Sequence, residues 1–204
     1  MENREFRKID HYEIRQITES NSVEIEGYIA KFDSPSELWE GYWEQIDRNA
    51  FDDTIVDGHN IFLLYHHDWS KPLASTKTGT LILEVDNIGL RFKATINSNL
   101  TYGKDAIELI RERLIEGCSF GFYCQEEDVH YNSVDDTVVR TLLKVELYEG
   151  SILCIPQYED TSVDVFTRAR EICAEERKRI LQERELLELK TDLELIKLEN
   201  ELLR

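Results

Sequence analysis

GTLILEVDNIGLRFKATI, residues 79–96, decides the fold class. In its second half Leu90, Phe92, Ala94 and Ile96 alternate with Arg91, Lys93 and Thr95. Successive side chains of a strand point to opposite faces, so this alternation marks a half-buried strand. The run GTLILEV at 79–85 precedes it, and Asp86, Asn87 and Gly89 bound the two. Working outward, similar runs are VEIEGYIAKF at 23–32, NIFLLYHH at 60–67, SFGFYCQEE from 119 and TVVRTLLKVELYEGSILCI at 137–155. Such runs dominate from about Glu13 to Phe166. The predicted architecture is mainly β with helices (α+β), on an open or closed β-barrel.

One internal stretch departs from period two. Within GKDAIELIRERLIE, residues 103–116, Ala106, Ile107, Ile110, Leu114 and Ile115 recur at helical spacing, and Gly117 is the expected stop. From Arg168 to Arg204 there is no Gly, Pro or aromatic residue, which predicts a long helix. Leu186, Leu189, Leu193, Ile196, Asn200 and Leu203 follow steps of three and four and would form a coiled-coil seam, with Asn200 setting register. Leu181, Leu195, Leu198 and Leu202 widen it. Such a helix packs back on its own body, self-associates into a homo-oligomer, or docks on a partner helix. The chain of 204 residues therefore divides into a β-barrel domain over 1–167 and a helical tail over 168–204.

Charge separates the two parts. The net charge is −18; the tail holds nine basic and ten acidic residues, leaving 15 basic and 32 acidic, or −17, in the body. An acidic body repels nucleic acid and anionic membranes, so neither is an expected partner. No apolar run approaches a membrane span, and the charged N-terminus has no signal-sequence character. Cys118, Cys124, Cys154 and Cys173 lack paired zinc spacing and read as reduced thiols of a cytosolic protein. No cofactor is expected.

The chemistry-bearing stretches are LLYHHD at 63–68 and EGCSFGF at 116–122. A serine hydroxyl is a poor nucleophile until an imidazole takes its proton, so Ser119 with His66 or His67 points to acyl transfer. On a strand the two histidines would face opposite ways, and either is eligible. Ser119 lies just past a helix, at the start of a strand, and not on a strand-to-helix elbow. Gly117 and Gly121 would let backbone amides approach an oxyanion. For the third group, Glu149 interrupts an apolar strand; Asp68 is the runner-up, awkwardly placed beside His67. Each residue also has a plain structural role open to it: a strand-end histidine, a helix stop, an outward carboxylate. His59, His66, His67 and Asp68 form no recognised metal-binding pattern.

An ordered set of segments covering residues 23–166 resembles the prohead maturation proteases of tailed bacteriophages of the HK97 type. These are EGYIAKFDS, YWEQIDRNAFDDTI, FLLYHHDWSKPLAST, the 79–96 stretch, IEGCSFGF and VELYEGSILCIPQYEDTSV. The resemblance implies a serine endopeptidase with a β-barrel related to herpesvirus assemblins. It would act in the host cytoplasm, inside the immature capsid, on the scaffolding segment of the major capsid protein and on itself. By position Ser119 matches the family's nucleophile, His67 its general base, because the family histidine directly precedes aspartate, and Glu149 the residue orienting that base. The chain departs from the family pattern at Asn49, at Ala74 and Ser75 in place of Gly-Arg, at Gly150 in place of valine, and at Gln157. Two rival functions are a catalytically inactive, scaffold-like assembly protein acting through its helix and a general cytosolic peptidase.

Overall fold

The alternation at 79–96 becomes an antiparallel hairpin of β8 (Leu81–Val85) and β9 (Gly89–Asn97), with Leu90, Phe92, Ala94 and Ile96 all buried. The computed structural model describes residues 5–9, 15–19, 22–132, 134–154, 178–179, 181–187 and 189–191. The other elements are β1 (Glu5–Ile9), β2 (Arg15–Glu19), β3 (Ser22–Lys31), β4 (Ser36–Trp39), β5 (Tyr42–Ile46), β6 (Phe62–Tyr65), β7 (Asp68–Ser75), α1 (Thr101–Arg111), β10 (Gly117–Asn132) and β11 (Thr137–Leu153).

Two sheets result. One is four-stranded, in the order β2-β3-β9-β8, and antiparallel throughout. The other has seven strands, in the order β1-β10-β11-β5-β4, with β6 paired to both β11 and β7. Its spine is the long antiparallel β10–β11 hairpin. On its outer edge β11 takes two parallel partners in succession, β5 along Val138–Leu142 and β6 along Glu149–Ile152. That division brings the end of β6 beside Glu149.

Over the described residues the sheets do not close, so the expected barrel is corrected to an open two-sheet arrangement. Part of the reason lies in β7, where WSKPL runs on as a strand. Pro72 has no amide to give a further ladder and suits an edge strand. Alternation predicts which face of a strand is wet, but not whether edges meet.

The core fills the space between the sheets. Ile25 and Ile29 of β3, the apolar face of β9, Cys118, Phe120 and Phe122 of β10, and Leu147 and Ile152 of β11 belong to one buried cluster. The helix adds Ala106, Ile107 and Ile110. It ends before the expected stop at Gly117: Arg113 takes φ +57°, its amide donates to Ile110 O at 3.1 Å, and the Leu114 amide donates to Leu109 O at 2.8 Å. These two bonds are those of a Schellman stop, built here on arginine where glycine is usual. Ile115 still reaches the core from outside the helix, whereas Leu114 is exposed. Gly117 is left to open β10.

Buried charge ties the first strand to the sheet. Glu44 of β5 receives Arg7 of β1 and Arg140 of β11, and Arg140 also binds Glu127. Paired charges of this kind add little net stability but penalise any register that separates them. No described helix is long and apolar enough to cross a membrane. Of the helix expected over 168–204, residues 178–179, 181–187 and 189–191 are helical; the rest, including the seam beyond Leu189, lies outside the described residues.

Candidate active site

The site begins with a turn. Tyr65 of β6 pairs with Asp68 of β7, so His66 and His67 form a two-residue hairpin loop and not the end of a strand. Their φ angles are +54° and +56°. A right-handed strand twist favours loops with positive φ at both positions, usually Asn-Gly, because other residues are strained there. Two histidines in that conformation are held against about 1–2 kcal/mol of strain each. The restraint comes from β11: the His66 amide donates to Ile152 O and the His67 amide to Ser151 Oγ, both at 3.1 Å. Such strain concentrates at functional sites.

The turn aims His67 at Glu149. His67 Nδ1 lies 2.7 Å from Glu149 Oε1, and Glu149 is 0% exposed while His67 is half-buried. A carboxylate there fixes the ring with Nδ1 protonated and leaves Nε2 as the proton acceptor. The second carboxylate oxygen, Oε2, accepts the Ser151 hydroxyl at 2.6 Å. Ser119 of β10 is the Cα partner of Ser151, and Gly121 that of Glu149. Directly opposed residues present side chains on one face, so Ser119, Ser151 and Glu149 share the face opposite Cys118, Phe120 and Ile152. Adjacent strands at that spacing set Ser119 about 4.5–5.5 Å from Ser151, Cα to Cα.

The neighbours are excluded by their own bonds. Asp68 accepts the Ser70 amide at 2.9 Å and hydroxyl at 2.6 Å, and Lys71 Nζ at 2.9 Å. Those donors hold its carboxyl down at about 2. His66 turns its ring toward Tyr65 and puts Nε2 3.6 Å from Cys154 Sγ. Cys118, beside Ser119, faces the core, where burial pushes its thiol far up and keeps it inert. The proposed amide donors are also revised. β10 is central between β1 and β11 over residues 118–122, so the amides flanking Ser119 point into ladders.

A bulge precedes the carboxylate. Gly121 pairs with Glu149 but Phe122 with Leu147, leaving Tyr148 as the extra residue on β11. Bulges re-aim the side chains that follow them. This one is braced from the 51–61 segment: the Leu147 amide donates to Thr54 Oγ1 at 2.8 Å, and His59 Nε2 lies 2.6 Å from Leu147 O. His59 Nδ1 contacts the Asp57 carboxylate. Burial alone would lower His59, but the bonds to Leu147 O and Asp57 outweigh it and raise it above the usual histidine value.

Sequence reasoning passed over Ser151 and Thr54 and weighed His59 only as a metal ligand. Ser151 carried a usable signal, standing two residues from Glu149 and therefore on the same face of the strand. Gly150 between them is also explained: an added Cβ would lie 2.7 Å from Ile29 Cδ1, so Ile29 occupies the space a valine would need.

Searches of curated proteins and of solved structures gave no match. The profile described as Caudovirus prohead serine protease matches residues 10–189, a span that takes in the β6–β7 turn, β10 and β11. By that match the chain belongs to the Caudovirus prohead serine protease family.

Proposed function

We propose that the chain is a capsid maturation endopeptidase working through Ser119, His67 and Glu149 inside the immature capsid. Its substrates are the scaffolding segment of the major capsid protein and the protease itself. The carrying observation is the 2.7 Å contact between His67 Nδ1 and the wholly buried Glu149. A buried carboxylate bonded to a strained histidine, one strand from Ser119, has few structural explanations.

His67 Nε2 accepts the Ser119 proton as Oγ attacks the scissile carbonyl, and the charge that develops on the ring is balanced by Glu149. His67 then protonates the leaving amine, which departs with the C-terminal product. Water repeats the sequence on the acyl-enzyme, releasing the second product and restoring Ser119. The oxyanion takes its donors from outside the laddered amides of residues 118–122. The tail supplies recruitment: Leu181, Leu186, Leu187 and Leu189 are more than half exposed on its helical residues. Pairing them with scaffold helices raises the local substrate concentration.

Co-expression of the chain, or of Ser119→Ala, with the major capsid protein of the same phage tests this by intact mass. Cleaved capsid protein with the parent and uncut protein with Ser119→Ala is expected. Uncut products from both would leave the scaffold-like alternative and end the protease reading.

A further inference from the structure

We infer that Ser151 is a positioning residue of this site, whose single hydroxyl fixes both the Glu149 carboxylate and the backbone of the His66–His67 turn. The inference rests on the proposed roles of Ser119, His67 and Glu149.

A serine hydroxyl has one proton to give and two lone pairs to receive. Here the proton goes to Glu149 Oε2 at 2.6 Å, and a lone pair receives the His67 amide at 3.1 Å. Glu149 in turn gives Oε1 to His67 Nδ1. The ring and the main chain of His67 are thus tied to two residues on one face of β11. Neither tie alone fixes the imidazole: the His66 amide bond to Ile152 O holds the first turn residue but leaves the His67 peptide to the Ser151 hydroxyl, and an amide bond leaves χ1 and χ2 free. With both, the strained turn keeps Nε2 at a set distance from β11, and therefore from Ser119, which the ladder places opposite Ser151.

Ser151 is not a second nucleophile. Its proton is committed to the carboxylate end of the dyad, whereas an attacking hydroxyl must give its proton to Nε2.

Single-turnover cleavage of the capsid protein is followed against substrate concentration for the parent, Ser151→Ala and Ser151→Thr. Ser151→Ala is expected to lower the limiting rate about 10- to 100-fold through misplacement of His67, with the concentration for half-maximal rate within about twofold. Ser151→Thr, which keeps the hydroxyl, should recover most of the rate. A parental rate for Ser151→Ala, or a loss that Ser151→Thr shares in full, overturns the inference. A second readout needs no turnover: 1H NMR in the Ser119→Ala background should show the downfield signal of the His67 Nδ1–H bonded to Glu149 broadened or shifted upfield when Ser151→Ala is added, and an unchanged signal overturns the inference. If the parent cleaves nothing, the protease reading fails, and that signal still decides whether Ser151 acts on the dyad. Should Ser151→Ala not fold, Ser151→Cys, a weaker donor of similar shape, must show the same change in smaller measure.

Discussion

Glu149→Gln is the most demanding single perturbation of the site, because it keeps shape and exchanges one acceptor for a donor. Glu149 has two partners, both donors: His67 Nδ1–H at 2.7 Å and the Ser151 hydroxyl at 2.6 Å. A glutamine can satisfy only one of them with oxygen. If the amide oxygen keeps Ser151, the NH2 faces Nδ1 and forces the ring into the Nε2–H tautomer, which cannot take the Ser119 proton. If the oxygen keeps Nδ1, the NH2 donates to the second lone pair of Ser151 Oγ, which already receives the His67 amide, and the Ser151 proton loses its acceptor. The second arrangement preserves the tautomer but replaces the balancing charge with a dipole. Both remove transition-state stabilisation and leave substrate binding intact. The expected loss in kcat is on the order of 10³- to 10⁴-fold, equal to ~4–5.5 kcal/mol.

Mass-resolved time courses of capsid protein cleavage, with enzyme in excess, cover that range. Asp68→Asn serves as the comparison: its carboxylate is held by Ser70 and Lys71, so only a few-fold change is expected. Glu149 is not the group that orients His67 if Glu149→Gln cleaves within about tenfold of the parent, or if Asp68→Asn is the slower of the two. A loss seen only in KM would equally place Glu149 in substrate binding and not in orienting the base.

Two further outcomes follow from the surroundings of Glu149. Gly150→Val restores the family residue but puts a Cβ 2.7 Å from Ile29 Cδ1; overpacking of this sort destabilises by about 1–3 kcal/mol in urea unfolding, and Ile29→Val should recover part of it. His59 has a raised folded-state value, so its stabilisation is fully present below the unfolded histidine value and is lost as pH rises through the folded one. In the Ser119→Ala background, the gap in urea midpoint between His59 and His59→Gln chains should therefore narrow on going from about pH 5 to about pH 8.5; a constant gap would show that His59 braces Leu147 without titrating.

What the sequence disclosed tracks what is local. Period-two alternation found β3, β8 and β9, and a glutamate in an apolar run pointed to Glu149, because burying a carboxylate demands a donor within reach. Long-range pairing was not legible. Nothing in TVVRTLLKVELYEGSIL says that β11 changes partner from β5 to β6 along its length, or that the open edges of the two sheets fail to meet. The short strands β4 and β7 were missed because Ser36, Pro72 and their neighbours carry little strand propensity and gain their conformation from a partner. The helix stop was misplaced from Arg113 to Gly117, since a left-handed arginine has no sequence signature.

The turn at His66 and His67 shows why local and functional signals disagree here. A two-residue loop with positive φ at both positions selects Asn-Gly on conformational grounds. That choice would relieve the strain and also remove the imidazole. The chain instead keeps a histidine whose φ is +56°, and balances the strain with hydrogen bonds from both turn amides to β11. A slack loop could present an imidazole to Ser119 in many orientations, most of them unproductive. A strained loop pinned to the strand that carries Glu149 presents it in one. The same bonds that make the turn improbable from its sequence tie the geometry of the proposed base to β11, the strand on which the sheet itself is built.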